Sequence, residues 1–272
     1  MSQSQPSIKE DFDATYTAAN KSKDATPYDY NLLVSVGEEL NDADPAYLEP
    51  LSYALISVML CAQRRGDAVA PWFSDLVKTR GVEEAKNIFS IIREAIAVIY
   101  PFVGLPNCVP ACLGLVGVLR GLGIDFDEDR RRADVQQGDY LVKGLDTRKK
   151  IYRGVGNPEV HWMLQKYFPD MTYATNTFIF GYLATGSLDV FELRQTELII
   201  AGAILAMGAT RQARSHCKAS MQVGNSEKVV AALVEAARRI ACWNMQELSE
   251  DIVVSNLAQE LKDNLAKEEG AK

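Results

Sequence analysis

Histidine is scarce in this chain, which contains only His161 and His216. A metal site built on imidazole needs several ligands at close spacing, and these two histidines are isolated from each other and from suitably spaced carboxylates. The sequence therefore predicts no metal site, and nothing in it calls for an organic cofactor. His161 fits a structural role, which leaves His216 as the first candidate for acid–base chemistry.

Long hydrophobic runs and targeting signals are also missing. The best apolar run, Leu198–Met207, is shorter than the roughly 18–20 residues that span a bilayer. The first 28 residues are polar and unlike a signal peptide, and the final Glu-Gly-Ala-Lys is not a peroxisomal Ser-Lys-Leu signal. We expect a soluble cytoplasmic protein with no membrane partner.

Cysteine spacing excludes a disulfide framework. Five cysteines are an odd number, which fits a reducing compartment and predicts that none is disulfide-bonded. Three residues separate Cys108 from Cys112, whereas redox and zinc motifs usually have two. A buried helix start explains this pair, and a core position explains Cys217, although a nucleophilic role for Cys217 stays open.

Positive charge is in deficit, with 29 Lys and Arg against 36 Asp and Glu and a net charge of −7. This balance argues against nucleic acid as a partner, because nothing offsets the repulsion from phosphate. The glycines between Gly114 and Gly123 lack the preceding strand and the Gly-Lys-Ser/Thr ending of a nucleotide-binding loop. They indicate close helix packing instead.

The periodicity of apolar residues predicts an all-α protein. Apolar positions recur every three or four residues in nine segments. These are Leu51–Arg64, Ala68–Thr79, Glu83–Val98, Val109–Leu122, Pro158–Phe168, Thr196–Met207, Arg211–Val223, Glu227–Trp243 and Gln246–Ala266. Thr177–Leu183 has the composition of a strand, but one strand cannot satisfy its own backbone, so we predict helix there too.

An internal duplication sets the expected domain organisation. Leu55–Arg64 followed by the helix Ala68–Lys78 mirrors Leu198–Met207 followed by Arg211–Val223. We expect a flexible arm over residues 1–27, a first, degenerate helical repeat over 28–124, a connecting loop over 125–144, a second repeat over 145–266 and a tail over 267–272. The first repeat is degenerate because it lacks a histidine.

The predicted helix that carries His216 has clear end signals. Thr210 is a candidate N-cap, Gly224 a candidate C′ glycine and Ser226 the cap of the next helix. Gln212, His216 and Ser220 are four residues apart and therefore share one face of the helix. The face is suited to a ligand, although a lone helical histidine is more often a hydrogen-bonded core or interface residue.

Several charged side chains flank this face. Arg211 and Arg214 stand near the start of the helix, where cations are disfavoured, which suggests a carboxylate substrate or another subunit as their partner. Solvated surface arginines are the simpler alternative. On the preceding helix, Arg194 and Glu197 are three residues apart, a spacing that predicts a structural ion pair between them.

The region 145–245 resembles the carboxymuconolactone decarboxylase and alkyl-hydroperoxidase-D-like superfamily. The family pattern runs from Leu-Arg-x-Arg-Glu-Leu through an apolar helix to a histidine with a glycine eight positions later. The matching residues here are Leu193, Arg194, Glu197 and Leu198, the run to Met207, His216 and Gly224. Tyr152–Gly154 falls where the family has its Tyr-Gly turn. The resemblance implies a two-repeat helical bundle of the alkyl-hydroperoxidase-D-like type that assembles into oligomers.

Two departures decide which activity the resemblance implies. The peroxidase branch has cysteines seven and four residues before its histidine, where this chain has Ala209 and Gln212. The decarboxylase branch commonly has Glu at the second of these positions, where this chain has the neutral Gln212, but the missing cysteine pair counts more strongly against the peroxidase. We therefore expect a cofactor-free lyase or isomerase resembling the decarboxylase. Its substrate would be a small cyclic carboxylate or a polyketide-like molecule. In this hypothesis His216 moves the proton, Gln212 and Ser220 bind the carbonyl, and Arg211 or Arg214 holds the carboxylate.

Two alternatives remain: an alkyl-hydroperoxide reductase-like antioxidant protein and a non-catalytic oligomer that binds a small molecule. Self-association is expected in either case. Val109–Leu119 is an apolar stretch that predicts a dimer or trimer interface if it is exposed. Alternatively, this helix is buried within its own chain.

Overall fold

The computed structural model describes residues 15–18, 20–126 and 130–270. This part of the chain is helical and contains no strand, which confirms the all-α class. The helices are α1 (Tyr30–Ala43), α2 (Pro45–Leu48), α3 (Leu51–Ala62), α4 (Val69–Val77), α5 (Val82–Val103), α6 (Leu105–Gly121), α7 (Tyr140–Tyr152), α8 (Pro158–Tyr167), α9 (Pro169–Ala174), α10 (Leu193–Ala206), α11 (Thr210–Gln222), α12 (Glu227–Trp243) and α13 (Val254–Gly270). Two 3₁₀ turns, Gly66–Ala68 and Val135–Gln137, and a π-helix, Thr175–Ala184, complete the described elements.

The centre of the molecule is the packing of α3 against α10. These are the two apolar helices that the predicted duplication pairs with each other. Nearly every residue of α3 and the whole of Thr196–Ala206 in α10 are buried, since both helices are apolar on all sides. Helices α5 and α12 cover the pair, and one hydrophobic core runs through both halves of the chain.

The signals at the helix ends are largely confirmed. Gly224 has φ +112°, a backbone conformation that L side chains rarely adopt, and it ends α11. The Ser226 hydroxyl accepts a hydrogen bond from the Val229 amide and caps α12. Thr210 is the first residue of α11 and not its cap. Thr177–Leu183 is helical as predicted, within the π-helix.

Two predicted boundaries are wrong. The helix expected from Gln246 begins only at Val254, because Met245 has φ +58° and Ser249 and Asp251 hydrogen-bond to each other in a turn. In the connecting segment 125–144, α7 already begins at Tyr140, capped by the carboxylate of Asp139. Residues 127–129 of that segment lie outside the described part of the chain.

The described part of the predicted N-terminal arm contacts the body of the protein. Asn20 donates a hydrogen bond to the Pro106 carbonyl, and the Trp243 indole donates to the Pro27 carbonyl. Residues 1–14 and 19 of the arm, and 271–272 of the predicted tail, lie outside the described residues.

Helix α6, which contains the apolar stretch Val109–Leu119, packs against α4 and α5. Its buried face includes Cys108, Ala111 and Leu115, whereas Val109 and Cys112 are exposed. Most of this stretch is therefore covered by its own chain. All five cysteines are free thiols.

Candidate active site: a buried carboxylate–imidazole–phenol chain

His216 lies in the interior with only 5% of its surface exposed. Its Nδ1 is 2.6 Å from Glu197 Oε1, and its Nε2 is 3.2 Å from the Tyr152 hydroxyl oxygen. A carboxylate can only accept hydrogen bonds, so the Nδ1–H of His216 donates to Glu197. Its Nε2 then accepts a hydrogen bond from the Tyr152 hydroxyl. The three side chains form a continuous hydrogen-bonded chain from the core towards the surface.

Three different helices supply this chain, which explains why sequence spacing does not reveal it. Glu197 stands on α10 and is completely buried, His216 is on α11, and Tyr152 ends α7. The packing of α10 against α11 aligns the first two residues. The prediction that Glu197 pairs with Arg194 is wrong: Arg194 pairs with Glu192 and stacks on the Tyr47 ring instead.

Close packing of α7 against the π-helix positions Tyr152. A Cβ atom added at Gly144 would lie 1.8 Å from the Asn176 carbonyl oxygen, and one at Gly181 would lie 1.9 Å from that of Tyr140. Only glycine permits this approach. The ring of Tyr152 then packs edge-on against Phe180 of the π-helix. A π-helix is rare and often occurs at functional sites, and here it supports the phenol.

Aromatic rings enclose the rest of the imidazole. Tyr152 and Phe102 both meet the His216 ring edge-on, with centroids 5.8 and 6.1 Å away. Both side chains are themselves partly exposed and therefore separate the imidazole from solvent. The Arg148 guanidinium lies over the Tyr152 ring, 5.4 Å from its centroid. Burial, followed by the charge of Glu197, raises the pKa of Tyr152, so the phenol stays protonated at neutral pH.

One carboxylate oxygen of Glu197 has no hydrogen-bond partner. Glu197 Oε2 is buried and has no hydrogen bond, while Oε1 contacts His216. Burying a carboxylate is unfavourable unless it is paired, and an unpaired oxygen adds to that penalty. Apolar residues of similar volume would fill this space at lower free energy. The arrangement is therefore typical of a group kept for chemistry and not for stability.

The other residues predicted for the site lie elsewhere. Gln212 and Arg211 are exposed. Arg214 binds Glu260 and the Asp251 carbonyl, and the buried Ser220 hydroxyl accepts a hydrogen bond from Asn225. None of these four residues contacts an imidazole nitrogen, because Glu197 and Tyr152 occupy both. Their predicted roles in substrate binding stay predictions.

The face of α11 that the sequence suggests for a ligand does not line either of two cavities in the described part of the chain. A surface groove of about 1330 Å³ runs between α12 and the segment 246–255, and a smaller cavity lies beside Leu205 and Ala213. His216 lines neither of them. The reason is steric, since the rings of Tyr152 and Phe102 fill the space next to the imidazole.

Thiol and metal chemistry find little support at this histidine. Cys217 follows it on α11 but is buried, and burial raises its pKa to about 12, which suppresses the thiolate. Among the residues described, no group of three or more His, Cys, Asp or Glu side chains is arranged to hold a metal ion. Within the same residues, no helix is both long and apolar enough to cross a bilayer.

Comparison with known proteins gives one partial likeness. No family model matches the chain. The chain is similar to "Peroxisomal protein 2" of Saccharomyces cerevisiae, with 26% identity over 117 residues. The match covers 42% of this chain and 41% of the yeast protein, so less than half of the yeast protein's length is spanned.

Proposed function

We propose that Glu197, His216 and Tyr152 form the proton-transfer site of a lyase or isomerase similar to carboxymuconolactone decarboxylase. The observation that carries this proposal is the imidazole held between a buried carboxylate and a phenol. Many catalytic histidines have this environment, in which one nitrogen is oriented by a carboxylate and the other can exchange a proton. The proposed substrate is a small cyclic carboxylate or a polyketide-like molecule.

The proposed chemistry uses the three hydrogen-bonded side chains in order, from the buried Glu197 through His216 to Tyr152 near the surface. In an isomerisation, Nε2 takes a proton from a carbon next to a carbonyl, directly or through the Tyr152 oxygen, and returns it to another carbon. In a decarboxylation, His216 first takes a proton from solvent to become an imidazolium. The C–C bond to the carboxylate then breaks, CO₂ leaves, the electron pair forms an enolate, and the imidazolium gives its proton to the carbon. Glu197 stabilises the imidazolium in both cases.

Access to the imidazole requires movement of an aromatic side chain. Phe102 and Tyr152 cover the ring and are both partly exposed, so rotation of either one opens a path from solvent. Arg148, beside Tyr152, is better placed than Arg211 or Arg214 to meet a substrate carboxylate at this entrance. Burial lowers the pKa of Arg148, which is consistent with a cation held close to the protein interior.

The test uses the purified protein with a panel of γ-lactone carboxylates and cyclic β-keto acids in D₂O. Deuterium incorporation at carbon, followed by NMR, reports proton transfer, and CO₂ release reports decarboxylation. For a substrate that turns over, we expect His216→Asn to lower kcat at least about 100-fold, because general acid–base catalysis contributes that much. Ser215→Ala, on the same helix, removes a hydroxyl bonded to the Arg211 carbonyl and should leave the rate unchanged.

The same assay separates the competing assignments. Wild-type rates in a folded His216→Asn protein would refute the proposal. Gln212→Ala and Ser220→Ala test the roles that the sequence predicts for those residues, and Arg148→Ala should raise KM more than it changes kcat. If the protein binds a small molecule without catalysis, it will turn over no member of the panel. A ligand that binds will nevertheless raise the temperature at which the protein unfolds.

The compartment is a separate proposal. We propose a cytoplasmic location from the sequence. The name of the yeast relative makes the peroxisome the alternative to test. Fluorescence of the protein tagged at either end, compared with a peroxisomal marker, distinguishes the two compartments.

A further inference from the structure

Helices α8 and α9 bury none of their own residues. Helix α8 packs on α9, and α9 packs on the π-helix that follows. Seven large apolar side chains of this pair are exposed, among them Trp162 at 64% and Tyr167 at 65%. The others are Val160, Met163, Phe168, Met171 and Tyr173. We call this surface, residues 158–174, the α8–α9 face.

The α8–α9 face exposes a large apolar area. With roughly 150–250 Å² for each aromatic side chain, its four half-exposed aromatics alone present on the order of 400 Å². An apolar area of this size matches the largest patch on a typical monomer, which is often functional.

One stripe of α8 is complementary to itself. Glu159, Trp162, Met163 and Lys166 are spaced i, i+3, i+4 and i+7, so they share one face of the helix, and all four are exposed. The acid stands at the start of the stripe and the base at its end. Two such helices packed antiparallel bring each Glu159 opposite Lys166 of the partner subunit. The two-fold axis then passes between Trp162 and Met163.

We propose that a second copy of this chain covers the α8–α9 face, with the two α8 helices antiparallel across a two-fold axis. Trp162 of each copy packs on Met163 of the partner subunit, and the Glu159–Lys166 pairs flank this centre. A C2 interface uses the same patch on both subunits and therefore needs a self-complementary surface, which this stripe supplies. Buried aromatics near the centre of an interface carry most of the binding free energy.

A membrane surface fits the same face less well. Interfacial helices that bind lipid carry Lys and Arg on their polar side, because the headgroups attract cations. The α8–α9 face carries Glu159 and Asp170 against one lysine, Lys166. Its charge would therefore be repelled by an anionic bilayer, whereas the second copy offers both signs of charge.

The proposed interface adjoins the candidate active site. Tyr152 is the last residue of α7, and α8 begins six residues later, at Pro158. The charge of Arg148, whose guanidinium lies over the Tyr152 ring, contributes, after burial, to lowering the pKa of His161 on α8. A second copy on α8 would therefore lie close to the entrance to the imidazole and limit how far Tyr152 can move.

The test measures the mass of the full-length chain by sedimentation and light scattering at micromolar concentration. We expect twice the 30.0 kDa of one chain for the wild type. Trp162→Ser should raise the dimer dissociation constant at least about thirty-fold, the effect of losing a central anchor. Met245→Asn is the matched control: Met245 is 81% exposed but lies outside the face, and Asn suits its positive φ.

Charge exchange tests the antiparallel arrangement itself. Glu159→Lys and Lys166→Glu each place like charges across the axis and should weaken the dimer, whereas the double variant should restore it. An equimolar mixture of the two single variants should form heterodimers, since one chain then carries both bases and the other both acids. Circular dichroism of each variant confirms that it is folded.

A wild-type monomer at these concentrations would overturn the proposal. A dimer that Trp162→Ser leaves intact would also overturn it, because the interface would then lie elsewhere. Binding of a monomeric wild type to vesicles with anionic lipid, lost in Trp162→Ser, would assign the face to a membrane and reject the second copy. Failure of the double charge variant to recover would reject the antiparallel geometry.

Discussion

The two apolar helices at the centre of this protein have similar sequences but differ at one important position. Aligning Leu55 with Leu198, and Ala68 with Arg211, places Ala54 of α3 opposite Glu197 of α10, and Phe73 of α4 opposite His216 of α11. Ala54 and Phe73 are completely buried and apolar, whereas the second half buries a carboxylate and an imidazole in the corresponding positions. If the two halves are repeats, as the sequence predicts, packing at these positions does not require the polar pair. The difference supports our proposal that the second half keeps the pair for proton transfer.

Transferring the carboxylate to the first half should have the largest effect. Ala54→Glu would bury a carboxylate in the apolar core, with no imidazole to pair with its charge. We expect the free energy of unfolding to fall by more than about 3 kcal/mol, or the chain to become insoluble, because an unpaired buried charge is strongly unfavourable. Urea denaturation followed by circular dichroism measures the change. Ala54→Gln, of equal size but uncharged, is the control and should be less harmful; equal losses would attribute the effect to volume alone.

Transferring the first half's residues to the second should have an intermediate and partly reversible effect. His216→Phe leaves the Glu197 carboxylate buried without its partner and should lower the free energy of unfolding by about 3–5 kcal/mol. Adding Glu197→Ala removes that carboxylate, as in the first half, and should recover most of the loss. The double variant is expected to be stable but inactive. A double variant no more stable than His216→Phe would show that the two halves are packed differently around these positions.

Removing the outer end of the hydrogen-bonded chain should have the smallest effect. Tyr152→Phe keeps the aromatic contacts with Phe180 and His216 but leaves Nε2 without its donor. We expect a loss of about 1 kcal/mol in the free energy of unfolding, the usual net contribution of one hydrogen bond. Tyr30→Phe, at an exposed position of α1 outside the α8–α9 face, is the control for losing a tyrosine hydroxyl and should change the stability by less. A loss above about 3 kcal/mol in the free energy of unfolding would indicate that Tyr152 serves mainly to stabilise the fold.

Local sequence signals identified the fold class, most helices and the central residue of the candidate site. Gly224 marked the end of α11, Ser226 marked the start of α12, and the scarcity of histidine singled out His216. Partners distant in sequence were harder to find. Glu197 is nineteen residues before His216, and the nearer Arg194 offered a plausible but incorrect partner.

The sequence draws attention to Tyr152 only as part of Tyr152–Gly154, the segment that resembles the family's Tyr-Gly turn. Its hydroxyl reaches His216, 64 residues later in the sequence, because two glycines bring α7 against the π-helix. No periodicity records such a crossing of helices. The periodicity of a helix face does not indicate how deeply each residue is buried. Gln212 is four residues from His216, yet it lies in the exposed first turn of α11 while His216 is in the interior.

The packing of α3 against α10 has a consequence for how the chain is made. More than a hundred residues separate the two helices, so a ribosome releases the mostly apolar α3 long before its main partner exists. A nascent chain that ends before Leu193 exposes the surface that α10 later covers, and such surface promotes aggregation. We therefore expect messages truncated between the two helices to yield insoluble fragments.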